Sequence, residues 1–274
     1  LDYAVAVGLS GGADSLALMA ALVAEGHEVL ALCVDHGLQD GSRAQAERAA
    51  EQARKLGAWA RVLDVEAGAT GQKSMEAAAR VARYRVLAAA CAAEELEVAV
   101  AHTADDQAET LLLGALRGRV AGMSERSEVE GARVVRPLLG VRRADTEGAC
   151  AELGLSAWQD PQNEDRNFRR VALRREVIPQ LNHIIGGDAV PALAQAASDA
   201  ALDDAVLHTP PTTDCAALAA MAEPRRRRAI AAWLVGEGVE VTRKGVGDVG
   251  KLCTHWHLSL IHISEPTRQA ETSY

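Results

Sequence analysis

The chain has 274 residues, 49% hydrophobic and 24% charged, with a formal net charge of -9. This is a globular composition for one large domain or two smaller ones, and it excludes collagen, mucin and wholesale disorder. The longest apolar runs, such as Leu16–Val23, fall far short of the roughly 18 residues that span a bilayer, so no membrane partner is expected.

In chain order, short apolar runs alternate with longer amphipathic stretches, the pattern of strand-helix units that build a parallel sheet. Ala4–Leu9 is predicted as a strand, Ser15–Glu25 as a helix, Val29–Val34 as a strand, Ser42–Leu56 as a helix and Ala60–Val65 as a third strand. Ser74–Glu95 follows as a long helix, Val98–Ala101 as a fourth strand, Asp105–Leu116 as a helix and Ala132–Val135 as a fifth strand. Beyond Pro161 the pattern is helical: Val171–Ile178 ended by Pro179, then Val190–Leu207 and Pro224–Val235. The expected fold class is α/β, a parallel five-stranded Rossmann-like sheet with helices on both faces, over residues 1–187. A small helical domain over 188–257 follows, with Gly186-Gly187 as the joint.

Leu1–Ser15 shows no basic stretch before an apolar one, so no secretory signal is expected. The cysteines (Cys33, Cys91, Cys150, Cys215, Cys253) form no C-x-x-C pair, which argues against a disulfide framework or cysteine zinc site and for a reducing cytoplasm. Charge is unevenly spread: residues 1–115 carry 9 basic and 17 acidic side chains, whereas residues 116–185 carry 12 and 10, all twelve cations being arginine. Arginine's planar fork suits phosphates. A chain with only four lysines could also use arginine as its default cation, so composition alone leaves a nucleic-acid partner open.

The chemistry concentrates in Ser10-Gly11-Gly12-Ala13-Asp14-Ser15, between a predicted strand and a predicted helix. A glycine-rich turn there leaves backbone N–H groups free to face an anion at the helix N-terminus. It lacks the lysine of G-x-x-x-x-G-K-[ST], and Gly8, Gly11 and Gly12 do not form G-x-G-x-x-G. Ser10, Gly11, Gly12 and Ser15 instead suit a pyrophosphate, with Asp14 holding Mg²⁺. The plainer alternative is a strand-to-helix turn in which Ser10 or Ser15 caps the helix.

This loop resembles that of the ATP-pyrophosphatase (PP-loop) superfamily, whose members cleave ATP between the α- and β-phosphates. Further blocks resemble the tRNA(Ile)-lysidine synthetase family in order: Val34-Asp35-His36-Gly37-Leu38, the stretch from Glu76 through Arg80 and Arg83 to Tyr84, and the stretch from His102 through Asp105, Asp106 and Gln107 to Glu109. Arg117-Gly118, Arg136-Pro137-Leu138-Leu139, and Asp160-Pro161-Gln162-Asn163 leading to Arg169, Arg170 and Arg174 complete the set. Two departures stand out: Arg119-Val120 replaces the usual Ser-Gly, and Asp35 stands where Asn is common.

The resemblance implies a ligase that adenylates the wobble cytidine of tRNA(Ile) with a CAU anticodon and replaces AMP with free L-lysine. It implies ATP and Mg²⁺ as cofactors, Asp14, Arg80 and His102 as catalytic residues, and Asp106 and Glu109 as the anionic partners of lysine. Arg117, Arg136, Arg169, Arg170 and Arg174 would meet tRNA, and a homodimer is compatible with this reading. Each residue has a plainer role. Thr103 and Asp106 match a capping box, a lone histidine is commonly a packed loop residue, and Arg80, Arg83 and Tyr84 fit a solvated helix face. Two other functions stay open, a tRNA thiolase of the same superfamily and an ATP-binding module without turnover. The segment from Leu258 to Arg268 resembles a translated sequencing-library adapter, so residues 258–274 are expected to be non-native and the helical domain truncated.

Overall fold

The computed structural model describes residues 4–35, 37, 41–65, 75–92, 94–159, 168–239 and 241–255. His36, Leu38, Asp160–Asn163, Arg166 and the segment 258–274 lie outside the described residues. The chain divides into two compact units, 1–201 and 202–274.

The first unit is built on β1 (Ala4–Gly8), β2 (Glu28–Asp35), β3 (Trp59–Asp64), β4 (Val98–Ala99), β5 (Arg126–Val129) and β6 (Ala132–Val135). Their order is β3-β2-β1-β4-β6-β5, parallel except for β5, which pairs antiparallel with β6. The fold is therefore α/β as expected, with β5 as a sixth strand. β5 is half exposed and reads Arg-Ser-Glu-Val, too polar to stand out as a buried strand.

Strand β2 shows how both faces are covered. Successive side chains point to opposite faces. Val29, Ala31 and Cys33 join a core with Leu16 and Met19 of α1 (Ala13–Ala24), Ala46, Ala49 and Ala53 of α2 (Ser42–Lys55), and Cys150 of α5 (Arg143–Glu152). Leu30 and Leu32 face the other way, onto Tyr84, Leu87 and Cys91 of α3 (Met75–Ala92).

Helix α4 (Ala104–Ala115) starts just past β4, at the carboxyl end of the sheet, and α5 starts past β6 at the same end. Ala104 and Ala108 pack with Ile178 of α7 (Ile178–Ile185) and with Val190 and Ala194 of α8 (Val190–Val206). That packing explains why the first unit runs to Ala201, beyond the Gly186-Gly187 joint expected from the sequence. Pro179 does not end its helix. The chain passes from α6 (Arg169–Ala172) through a π-helical segment, Leu173–Val177, into α7, where Pro179 sits in the first turn directly after the π-helical turn.

The second unit holds α9 (Cys215–Ala220), α10 (Glu223–Gly236) and α11 (Arg243–His255), with Leu218, Ala229, Ile230 and Val246 as its core. No helix among the described residues is long and apolar enough to cross a membrane.

Candidate active site at the carboxyl ends of the strands

The turn after β1 is held by its own hydroxyls. Ser10 N–H donates to Ser15 Oγ at 3.2 Å, the two hydroxyls lie 3.1 Å apart, Gly12 N–H donates to Ser10 Oγ at 3.3 Å, and Ser15 Oγ donates to the Gly12 carbonyl at 3.0 Å. Gly11 adopts φ +84°, and a Cβ there would stand 2.8 Å from Gln45 Nε2 and 3.3 Å from Ala49 Cβ. Gly12 has an ordinary φ of -75° and room for a Cβ. Gly12 is the N-cap of α1, and no side chain caps that helix. The serines therefore shape the turn and leave the first helical amides to an incoming anion, as a phosphate cradle requires.

Asp14 lies in the first turn of α1. Thr146 of α5 donates its hydroxyl to Asp14, and Arg143 Nε approaches the same carboxylate at 3.4 Å. Burial raises the Asp14 pKa above the ordinary carboxylate value, against the opposing pull of Thr146 and Arg143. The donor set bears on magnesium. Among the described residues no three His, Cys, Asp or Glu side chains cluster as a metal cage, and Mg²⁺ commonly takes one or two carboxylates together with substrate phosphates. Asp14 beside an uncapped helix start fits that pattern.

Helix α4 begins with a complete capping box. Thr103 N–H donates to Asp106 Oδ2 at 2.8 Å while Asp106 N–H donates to Thr103 Oγ1 at 3.4 Å. The capping role is realised, and the second carboxylate oxygen of Asp106 still takes a 2.9 Å bond from Arg143 Nη2. Burial opposes ionisation of Asp106, but Arg143, the Thr103 amide and the other nearby donors outweigh it and lower its pKa. Glu109, one turn on, is 0% exposed and meets three guanidiniums: Arg174 Nε at 2.8 Å, Arg170 Nη1 at 3.4 Å and Arg143 Nη1 at 3.6 Å. Arg174 comes from the π-helical segment. Asp105 accepts from Arg142 at 3.1 and 3.2 Å and from the Arg143 amide at 2.8 Å, and these bonds lower its pKa although burial works the other way.

His102 follows β4 at the strand's carboxyl end. Burial, reinforced by Arg136, Arg80 and Arg83 and opposed by Asp106, pushes its imidazole down to about 4, so the ring is neutral near pH 7. Its Nδ1, the Tyr84 hydroxyl and Arg136 Nε are buried without hydrogen-bond partners among the described residues. Arg80 and Arg83 lie over the Tyr84 ring at 4.9 and 5.2 Å. Arg80, Arg83, Tyr84, His102 and Arg136 thus form a cationic corner, with Asp106 as the acid acting on His102 among the described residues.

The structure brings Asp14 of the turn, Asp106 and Glu109 around one cation, Arg143, one of the twelve arginines of residues 116–185 and given no role by the sequence. The five arginines assigned to tRNA separate. Arg117 and Arg169 are exposed, while Arg170 and Arg174 turn onto Glu109. Arg136 is 5% exposed and donates to the Ser124 carbonyl at 2.8 Å and Ser127 Oγ at 2.9 Å. Gln107 was also unassigned. Fully buried, it brackets the Met123 backbone with two 2.8 Å bonds and fixes the loop after α4. A cavity of about 340 Å³ between Glu28, Trp59 and Arg61 lies at the opposite, amino end of the strands.

A Gly-rich turn opening a helix at the carboxyl edge of a parallel sheet, with an acid in the first turn, defines a phosphate-binding α/β protein, and the family model described as PP-loop domain matches residues 2–181. The chain is 49% identical over 260 residues to the tRNA(Ile)-lysidine synthase of Corynebacterium glutamicum, covering 92% of this chain and 81% of that protein. To that of Corynebacterium diphtheriae it is 52% identical over 254 residues, covering 92% and 83%. The chain belongs to the tRNA(Ile)-lysidine synthase family. Among solved structures, the U34-tRNA thiolase NcsA from Methanococcus maripaludis shares the fold, with a TM-score of 0.58 and 18% identity over 71% of this chain and 72% of that one.

Proposed function

We propose that this protein joins L-lysine to the wobble cytidine of a tRNA(Ile) bearing a CAU anticodon, at the expense of ATP. The C2 oxygen of cytidine attacks the α-phosphate and pyrophosphate leaves. The lysine ε-amine then attacks C2, and that oxygen departs with AMP. Both steps load negative charge onto phosphate oxygens, so oriented amides and cations are the main catalytic resource. The Ser10–Ser15 turn offers amides to the leaving pyrophosphate, and Arg80 stands at the cationic corner to face the α-phosphate. Asp14 would hold Mg²⁺, which supplies further neutralisation of phosphate charge when bound. A neutral His102 can accept or donate one hydrogen bond without adding charge.

Asp106 and Glu109 are the partners for lysine, which enters with a cationic ε-ammonium of pKa near 10.4. Exposed Arg117 and Arg169 are left for the tRNA backbone. The observation that carries this reading is the uncapped turn and the Asp106–Glu109 acid pair meeting at one cation within a single unit. Sulfur transfer finds no support in the first unit: Cys33, Cys91 and Cys150 are buried core thiols, with Cys33 pushed up to about 12 by burial.

Pyrophosphate release measured with ATP, lysine and tRNA(Ile) together, and with each omitted in turn, tests the proposal. Release should require tRNA, and labelled lysine should enter the tRNA only in the complete mixture. Release at full rate without tRNA, or none of the label in RNA, overturns it.

A further inference from the structure

We propose that Arg143 is a shared counter-ion that couples the two halves of the site, so that a magnesium nucleotide at the Ser10–Ser15 turn weakens lysine binding at Asp106 and Glu109. The proposal rests on the reading given above, in which Asp14 faces the nucleotide and the α4 acids face lysine.

Asp14, Asp105, Asp106 and Glu109 each hold a guanidinium, from Arg142, Arg143, Arg170 or Arg174, and Arg142 also meets Asp188. A lysine ammonium that approaches one of these four carboxylates therefore competes with an arginine already on it. Arg143 alone among these arginines reaches both sides. Its Nε is on Asp14 at 3.4 Å, Nη2 on Asp106 at 2.9 Å and Nη1 on Glu109 at 3.6 Å. Its amide is tied to Asp105 at 2.8 Å, which anchors the backbone while the side chain stays free to redistribute its donors. The Arg143 side chain is 18% exposed, so its charge is poorly screened by solvent.

When Asp14 turns to a magnesium nucleotide it no longer accepts from Arg143. The guanidinium then gives its full charge to Asp106 and Glu109, the acids a lysine ammonium needs. When pyrophosphate leaves with the metal, Asp14 recaptures Nε and the grip on the α4 acids relaxes. One side chain thus favours lysine binding after pyrophosphate departs over binding before it. Linkage makes the effect reciprocal, so lysine weakens nucleotide binding by the same factor.

Calorimetric titration of L-lysine into the full chain tests this in three arms: protein alone, protein with magnesium and α,β-methylene-ATP, and protein with AMP alone. In the wild type the magnesium nucleotide should raise the lysine Kd about 10-fold, within the usual range for coupled sites, while AMP changes it less than about twofold. Arg143→Met should bring the ratio between arms to about 1. Arg143→Lys, the milder change, should also lose most of the ratio, because a single ammonium cannot span three carboxylates as a guanidinium does. A merely structural role would shift all arms together and preserve the ratio. Equal lysine Kd in the first two wild-type arms, tighter binding with nucleotide, or an unchanged ratio in Arg143→Lys overturns the proposal alone. Failure of lysine to bind the wild type in any arm overturns the lysine assignment and this proposal with it.

Discussion

The Ser10–Ser15 turn and the cluster around Glu109 are built on opposite principles. The turn is six consecutive residues whose hydroxyls bond to one another and to the local backbone, with distant chain adding single contacts such as the Trp158 N–H on the Gly11 carbonyl at 2.8 Å. The cluster joins α1, α4, α5, α6 and the π-helical segment, and its bonds span 37 to 132 residues of chain. A local device is robust and can be recognised by pattern. A cluster of buried charges assembled from distant elements stays balanced only while the whole unit holds it, since breaking one buried pair strands its partner.

Substitutions at the two regions should differ in kind. The largest effect is expected from Asp14→Asn, which removes the turn's only carboxylate. Pyrophosphate release should fall at least about 100-fold at all lysine concentrations, with folding checked by thermal melting. Glu109→Gln should leave the first half-reaction within about threefold and raise the lysine KM about 10- to 100-fold. Equal loss of both half-reactions in the two variants would erase the functional distinction between the regions.

Within the turn, the two glycines sharpen the contrast. Gly11→Ala should lower stability by about 1–2 kcal/mol in urea titration, because Gly11 is left-handed and its new Cβ would press on Gln45 and Ala49. Gly12→Ala has room, so its stability should stay within about 0.5 kcal/mol of wild type while nucleotide affinity falls.

At the strand end, His102 supplies a pH test. Its folded pKa of about 4 lies below the free value near 6.5, so the unfolded chain takes up the proton first. The stabilisation is complete above that free value and is lost as pH falls towards 4, by about 1–3 kcal/mol. Urea midpoints from pH 7 to 4.5 should drop less steeply in His102→Gln, and an unchanged slope would remove His102 as the cause. At the α4 cap, Thr103→Ala should cost about 1 kcal/mol in the same measurement.

Much of the sheet was legible because its strands are short apolar runs bounded by polar turns, as in Val29–Val34 within the observed Glu28–Asp35. Helix α5 was not. Arg143–Glu152 carries Thr146, Gly148 and few apolar residues beyond alanine, and it buries only Thr146 and Cys150, so no helical stripe marks it. The loss mattered, since α5 delivers Arg143 and Thr146 to Asp14. A signal was present in Arg142-Arg143-Ala144-Asp145, where Asp145 lies in the first turn and takes the Arg142 N–H at 3.2 Å, as acids do at helix starts. Arg136 shows the reverse case. As one more arginine in a basic third of the chain it reads as a phosphate ligand, and only packing reveals that it is buried and donates to Ser124 and Ser127.

By itself the sequence determined the alternation of strand and helix, the glycine-rich turn that opens α1 and the pairing of Asp106 with Glu109 on one side of a helix. All three follow from periodicity and local backbone preference, which act over a few residues. Tertiary structure alone decided which arginine meets which acid, because that depends on where elements far apart in the chain come to rest. Long, flexible side chains of one type have no pattern in sequence that distinguishes a buried counter-ion from a cation facing solvent.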